Sequence, residues 1–189
     1  ASLAPDVPGP WASGLHSPIY CDTRVTRSDP QTRDLIADGL ASLVRTNFHQ
    51  VDVVAGTATA GIAHAALAAD RLGAPMAYVR SAPKDHGRGN QIEGRIPARS
   101  QVVMVEDLIS TGGSVLKAAE AVKGEGSTVV GVLALFSYEL EKGHCAFEKA
   151  GLPLYTLSNY PTLIEVAAES GRISPEQETS VATSSAARG

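Results

Sequence analysis

The stretch VVMVEDLISTGGSV, residues 102–115, decides how the rest of the chain is read. Val102, Val103, Met104 and Val105 form a continuous apolar run, which fits a strand covered on both faces. Two acids, Glu106 and Asp107, follow at its end. The polar turn Ser110, Thr111, Gly112, Gly113, Ser114 then leads into a segment where Val115, Ala118, Ala119 and Val122 recur at helical spacing. Two glycines in such a turn let backbone amides converge at a helix N-terminus. Unpaired amides and the helix dipole there favour an anion such as a phosphate monoester.

Working outward, the same alternation repeats. The apolar runs VDVVAG, PMAYVR, QVVMVED and STVVGVLALF are separated in several places by helix-like pieces, AGIAHAALAADRLG and GGSVLKAAEAVKGEG. A parallel sheet covered by helices, an α/β fold, is the economical expectation. Upstream, SDPQTRDLIADGLASLVRTNF predicts a helix capped by Asp29, with Pro30 at its first position and Leu35, Ile36, Leu40, Leu43 and Val44 as its apolar stripe. Downstream, YELEKGHCAFEKAG and PTLIEVAAESG read as helices around a short strand, PLYTLS.

The chain has 189 residues, 43% of them hydrophobic, which suits one packed domain over residues 1–173. Residues 174–189 hold no large apolar side chain beyond Val181 and read as a disordered tail. A net charge of -4 argues against a general nucleic-acid surface. Cys21 and Cys145 lack a CxxC partner, so they read as small, partly buried side chains rather than a zinc site or disulfide. No run is long enough for a membrane span, and a cytoplasmic setting is the expectation.

Beside an anion cradle, two carboxylates are a conflict. It resolves for a ligand carrying phosphate at one end and hydroxyls in the middle, because carboxylates accept hydrogen bonds from a sugar diol. A ribose 5-phosphate has that form. The competing reading is an ordinary βα turn, with Glu106 and Asp107 giving solubility and a cap. GTATAGIA, residues 56–63, lacks the lysine of a nucleotide P-loop, and is either a tight turn or a second place where amides meet an anion. Residues 80–99 form a long aperiodic loop with five Arg or Lys against Asp85 and Glu93. Read functionally, Lys84 and His86 fold over a departing polyanion and exclude water; read blandly, the loop is a solvated charged surface.

The strand, acid pair and STGGS turn together resemble the phosphoribosyl-diphosphate (PRPP) signature of the type I phosphoribosyltransferases. VRSAPKDHGRGNQIEG, SGLHSPIYCDTR and VAGTATAGI resemble segments of its orotate-specific branch. The resemblance implies a mostly parallel sheet, a hood from the N-terminal segment and C-terminal helix, and transfer of ribose 5-phosphate from PRPP to orotate. It implies that Arg80, Lys84 and His86 hold the diphosphate and that Glu106 and Asp107 hold the ribose hydroxyls. Leu108, Ile109, Ser110, Thr111, Gly112, Gly113 and Ser114 complete the PRPP site, with Ser110 also near orotate. Lys84, His86 and Asp107 are the implied catalytic groups. Magnesium (Mg2+) is carried by the diphosphate rather than by protein ligands, and the family forms homodimers that share the loop across subunits.

Departures from the family pattern fall on the base contacts. Ala12, Thr59 with Ala60, and Tyr138 stand where other members carry lysine, a Tyr-Lys pair and arginine, and Ser81 follows the loop arginine in place of lysine. Arg24 is therefore the expected partner of the orotate carboxylate, the alternative being an ion pair with a surface acid. His16, His49, His64 and His144 sit singly and read as surface or packing residues. Two other functions fit the PRPP signature: a purine-type phosphoribosyltransferase, and a non-catalytic PRPP-sensing regulator that binds nucleic acid. The second calls for a basic face that the sequence lacks.

Overall fold

A computed structural model describes residues 21–82, 90–174 and 176–177, together with the backbone of four short strands before them. Of these, β1 (Ser2–Leu3) pairs antiparallel with β4 (Ile19–Tyr20), and β2 (Gly9–Pro10) with β3 (His16–Ser17). Most of the expected tail, residues 178–189, lies outside the described residues. A 3-10 turn, Thr23–Ser28, leads into helix α1 (Pro30–Asn47). Asp29 caps α1 by accepting from the Thr32 backbone N–H at 2.8 Å, and Pro30 opens it. The buried stripe is Ala37, Leu40, Ala41 and Val44. Leu35, expected in that stripe, is 73% exposed, because five residues before Leu40 it lies about 140° around the helix.

The central sheet contains β5 (Val53–Thr57), β6 (Met76–Val79), β7 (Ile92–Glu93), β8 (Gln101–Ile109), β9 (Thr128–Ser137) and β10 (Leu154–Asn159), in the order β10-β9-β8-β5-β6-β7. Every neighbouring pair is parallel except β6 with β7. Helix α2 (Gly61–Leu72) follows β5, α3 (Gly113–Gly124) follows β8, α4 (Glu141–Ala150) follows β9 and α5 (Tyr160–Glu169) follows β10. The α/β expectation holds. Two details differ from the sequence reading. β8 continues past Val105 to Ile109 because β9 offers a ladder that far, Leu108 opposite Phe136 and Ile109 opposite Ser137. The loop of residues 80–99 contains β7, which pairs with Tyr78 and Val79.

The pleat sorts side chains to two faces. Val54, Val103, Val105, Leu133 and Leu135 pack against Leu40 and Val44 of α1 and Ala65 and Ala68 of α2. Val53, Ala55, Val102 and Met104 pack on the other face with Val115, Ala119 and Val122 of α3. A third cluster joins Phe136, Tyr138, Tyr160 and Ile164 with half-buried Cys21. Cys145, expected partly buried, is exposed on α4, and neither cysteine is in a disulfide. From β5 the chain winds through α2 to β6, and from β8 through α3 to β9 in the opposite direction. In open α/β sheets the crevice at such a reversal, beyond the strands' carboxyl ends, is where ligands bind.

Candidate active site

A cavity of about 560 Å³ opens at that reversal. Its walls are residues 58–60 after β5, residues 106–115 from the end of β8 into α3, and Lys117. Every position from 106 to 114 that the sequence singles out therefore faces one space. Residues 58–60, left open between a tight turn and a second anion site, join them there. The starts of α2 and α3 both adjoin the cavity, so two sets of unpaired amides and two positive dipole ends border it.

Two glycines make this approach possible. Gly112, the N-cap of α3, has φ 78°, a left-handed conformation that disfavours other residues. A Cβ there would also lie 2.7 Å from the Phe147 ring. At Gly61 a Cβ would lie 2.4 Å from the Val105 carbonyl oxygen, so the first turn of α2 packs directly on β8 where the acid pair begins.

The sequence treats Glu106 and Asp107 alike, whereas the strand separates them. By the alternation of β8, Glu106 leaves on the α3 face, where Gly56 opposite Val105 sets Thr57 beside it. Glu106 is buried, 7% exposed. Its carboxyl accepts the Asp107 backbone N–H at 2.9 Å. Burial, reinforced by the neighbouring Asp107 carboxyl, pushes its pKa up to about 9. In the unliganded chain at neutral pH it is a neutral acid that can donate as well as accept. Asp107 leaves on the α2 face and is half-buried, and its Oδ2 accepts the Thr23 hydroxyl at 2.8 Å.

His64 lies on that same side, 1% exposed, and neither ring nitrogen has a hydrogen-bond partner among the described residues. Desolvation, then the Arg27 cation, push its pKa down, while Asp107 opposes the shift. The packing role expected for His64 fits this burial. A neutral buried imidazole that resists protonation costs stability as pH falls below about 6.5, where the unfolded chain takes up the proton first. His64→Leu removes two unsatisfied polar atoms, so it is expected to match or exceed the parent's melting temperature at pH 7. Its advantage should widen toward pH 5 in a thermal melt.

Arg80 lines a smaller adjoining cavity of about 210 Å³ that shares Ala58, Ser114 and Lys117 with the first. Its guanidinium stands 3.7 Å from Glu93, the acid that β7 brings alongside β6. Lys117, which sequence reading missed, faces both spaces. Its only signal is its place about one helical turn after Ser114, on the face that an anion at the turn would meet. Lys84, His86 and Ala12 fall outside the described residues. Arg24 does not line the cavity, and its side chain pairs with Asp22 at 2.8 Å. Tyr138 is buried and accepts the Cys21 N–H through its hydroxyl at 3.2 Å, tying the segment before Thr23 to the end of β9. Among the other histidines, His49 is exposed and His144 pairs with Glu139 at 3.0 Å.

Comparison with known proteins agrees with this geometry. The phosphoribosyl transferase domain family model matches residues 28–164. An orotate phosphoribosyltransferase of Cutibacterium acnes is 88% identical over 96% of this chain and 84% of its own length. One from Enterococcus faecalis is 56% identical over 94% of this chain and 84% of its own length. The crystal structure of orotate phosphoribosyltransferase from Aeropyrum pernix superposes with a TM-score of 0.75 at 30% identity, covering 88% of this chain and 92% of that one. The chain belongs to the phosphoribosyltransferase family, within its orotate phosphoribosyltransferase branch.

Proposed function

We propose that the cavity transfers ribose 5-phosphate from PRPP to a ring nitrogen of orotate, giving orotidine 5'-monophosphate and diphosphate for pyrimidine synthesis. The observation that carries this reading is the convergence of the STGGS turn, the acid pair and the turn before α2 on one space at the sheet's reversal. The 5'-phosphate rests on the amides and hydroxyls of residues 110–114, and Leu108 and Ile109 form the approach to that turn. Glu106 and Asp107 take the ribose hydroxyls. Diphosphate lies toward Arg80 and the start of α2, and Lys84 and His86 are the further groups proposed to hold it.

As the bond from the ribose anomeric carbon to diphosphate breaks, the electron pair leaves with diphosphate and the sugar becomes cationic. The ring nitrogen of orotate, its proton lost, forms the new bond to that carbon. Asp107 favours the cationic sugar, and Lys84 stabilises charge that grows on the leaving group. Magnesium, held by the diphosphate oxygens rather than by protein ligands, would neutralise part of the leaving group's charge, and the cavity hydroxyls are hard oxygen donors compatible with such an ion. Ser110 and Arg24 are the proposed orotate contacts; Arg24 reaches the base by exchanging Asp22 for the orotate carboxylate.

The reading extends to a single domain over residues 1–173, supported by the cluster that joins Cys21 to α5, and to a homodimer that shares the loop of residues 80–99. A cytoplasmic setting belongs to the same reading; among the described residues no helix is long and apolar enough to cross a membrane. The deciding experiment is a spectrophotometric assay with PRPP, magnesium and orotate, run beside hypoxanthine, adenine and uracil. Loss of orotate absorbance is expected. Turnover of a purine with none of orotate would transfer the site to the purine-type alternative, and PRPP binding without turnover of any base would favour the regulator.

A further inference from the structure

Asp107 is held by a residue 84 positions earlier in the chain. Thr23 opens the 3-10 turn that precedes α1, is 6% exposed, and donates its hydroxyl to Asp107 Oδ2 at 2.8 Å. The turn itself is fixed from several directions. Asp22 caps it by accepting from the Arg24 backbone N–H. The Thr26 hydroxyl donates to the Thr23 carbonyl oxygen, and the Cys21 N–H two residues before Thr23 is held by Tyr138. A buried donor so constrained dictates the direction of the acceptor it meets, and a charge-assisted bond of this kind is short and strong.

We propose that Thr23 is a positioning residue for the reaction: its hydroxyl fixes the plane of the Asp107 carboxyl and so presents that acid to the ribose. This rests on the assignment of Asp107 to the ribose hydroxyls. The consequence is mechanical coupling between the two sides of the cavity. The segment bearing Thr23 also bears Arg24, proposed for orotate, so displacement of that segment disturbs sugar recognition through a single hydrogen bond. Free rotation of Asp107 would leave its diol contact to chance, and modest misplacement of a binding group is costly to a reaction that depends on alignment.

The test is a double-mutant cycle on kcat/KM for PRPP, using the full chain with saturating orotate and magnesium. Thr23→Val removes the hydroxyl at nearly constant shape, Thr23→Ser keeps it, and Asp107→Ala removes its partner. Thr23→Ala serves as a second hydroxyl-free variant if the valine chain does not fold, and the melting temperature of each is recorded. Thr23→Val is expected to lower kcat/KM about tenfold, the scale of one hydrogen bond to a charged group. Thr23→Ser recovers most of that loss, and the valine change adds nothing measurable in the Asp107→Ala background. An equal loss in both backgrounds, or none in either, overturns the proposal. An Asp107→Ala chain with parental kcat/KM overturns the ribose assignment itself, and the role of Thr23 with it.

Discussion

Lys84→Ala is expected to lower turnover by about two to three orders of magnitude while PRPP binding remains measurable, the scale seen when one preorganised charge is removed from a developing anion. The reason lies in where charge appears. In bound PRPP the diphosphate already carries negative charge that several groups share, whereas bond cleavage adds charge at the bridging oxygen, and an interaction that strengthens there raises kcat more than affinity. Equal losses in PRPP affinity and kcat/KM would make Lys84 a plain binding residue. The same variant tests the shared loop. If the loop of one protomer closes the cavity of its partner, mixing Lys84→Ala subunits with Asp107→Ala subunits regenerates a site with both groups intact, and activity returns. Mixtures that stay inactive under conditions of subunit exchange would confine the loop to its own chain.

Glu106→Gln is expected to flatten the pH dependence of stability of the unliganded chain. Between about pH 4.5, the ordinary value for a free glutamate, and about 9, where burial sets this one, the folded chain holds a proton that the unfolded chain has released. Stability conferred by that proton is complete below the lower value and is lost as pH rises toward the upper. The slope from this one group reaches about 1.4 kcal/mol per pH unit. Glutamine keeps the shape and the donor of the neutral acid without titrating, so the variant gains on the parent steadily from pH 5 to pH 9 in denaturant melts. His64 acts in the opposite sense and only on the acid side of about pH 6.5, so the two effects separate along the pH axis. Parallel stability curves for parent and Glu106→Gln would mean that Glu106 ionises freely in the fold.

The neutral state of Glu106 also revises the chemistry of the acid pair. Two full carboxylates beside a phosphate site would repel each other and the incoming PRPP. With Glu106 buried and protonated, the cavity carries less negative charge before the ligand arrives, and the neutral carboxyl can give a hydrogen bond to a sugar hydroxyl as well as take one.

The sequence by itself determined those features that depend on neighbours a few residues apart. The apolar run of residues 102–105, the polar glycine-bearing turn of residues 110–114 and the stripe from Val115 to Val122 specify strand, turn and helix locally, and the Asp29 and Pro30 start of α1 is equally local. Hydroxyls and glycines in that turn carry the proposed anion site for the same reason. Tertiary structure alone decided the rest. The pleat and the packing of α3 buried Glu106 and raised its pKa, while Asp107 turned toward Thr23, a partner that no spacing rule finds across 84 residues. Lys117 gained a place in the site only because its turn of α3 faces the ends of β5 and β8. Arg24 and Tyr138 found their observed partners in Asp22 and Cys21 through the path of the chain before α1. Local spacing sets which backbone forms; burial and long-range contact set which charges survive and what each side chain meets.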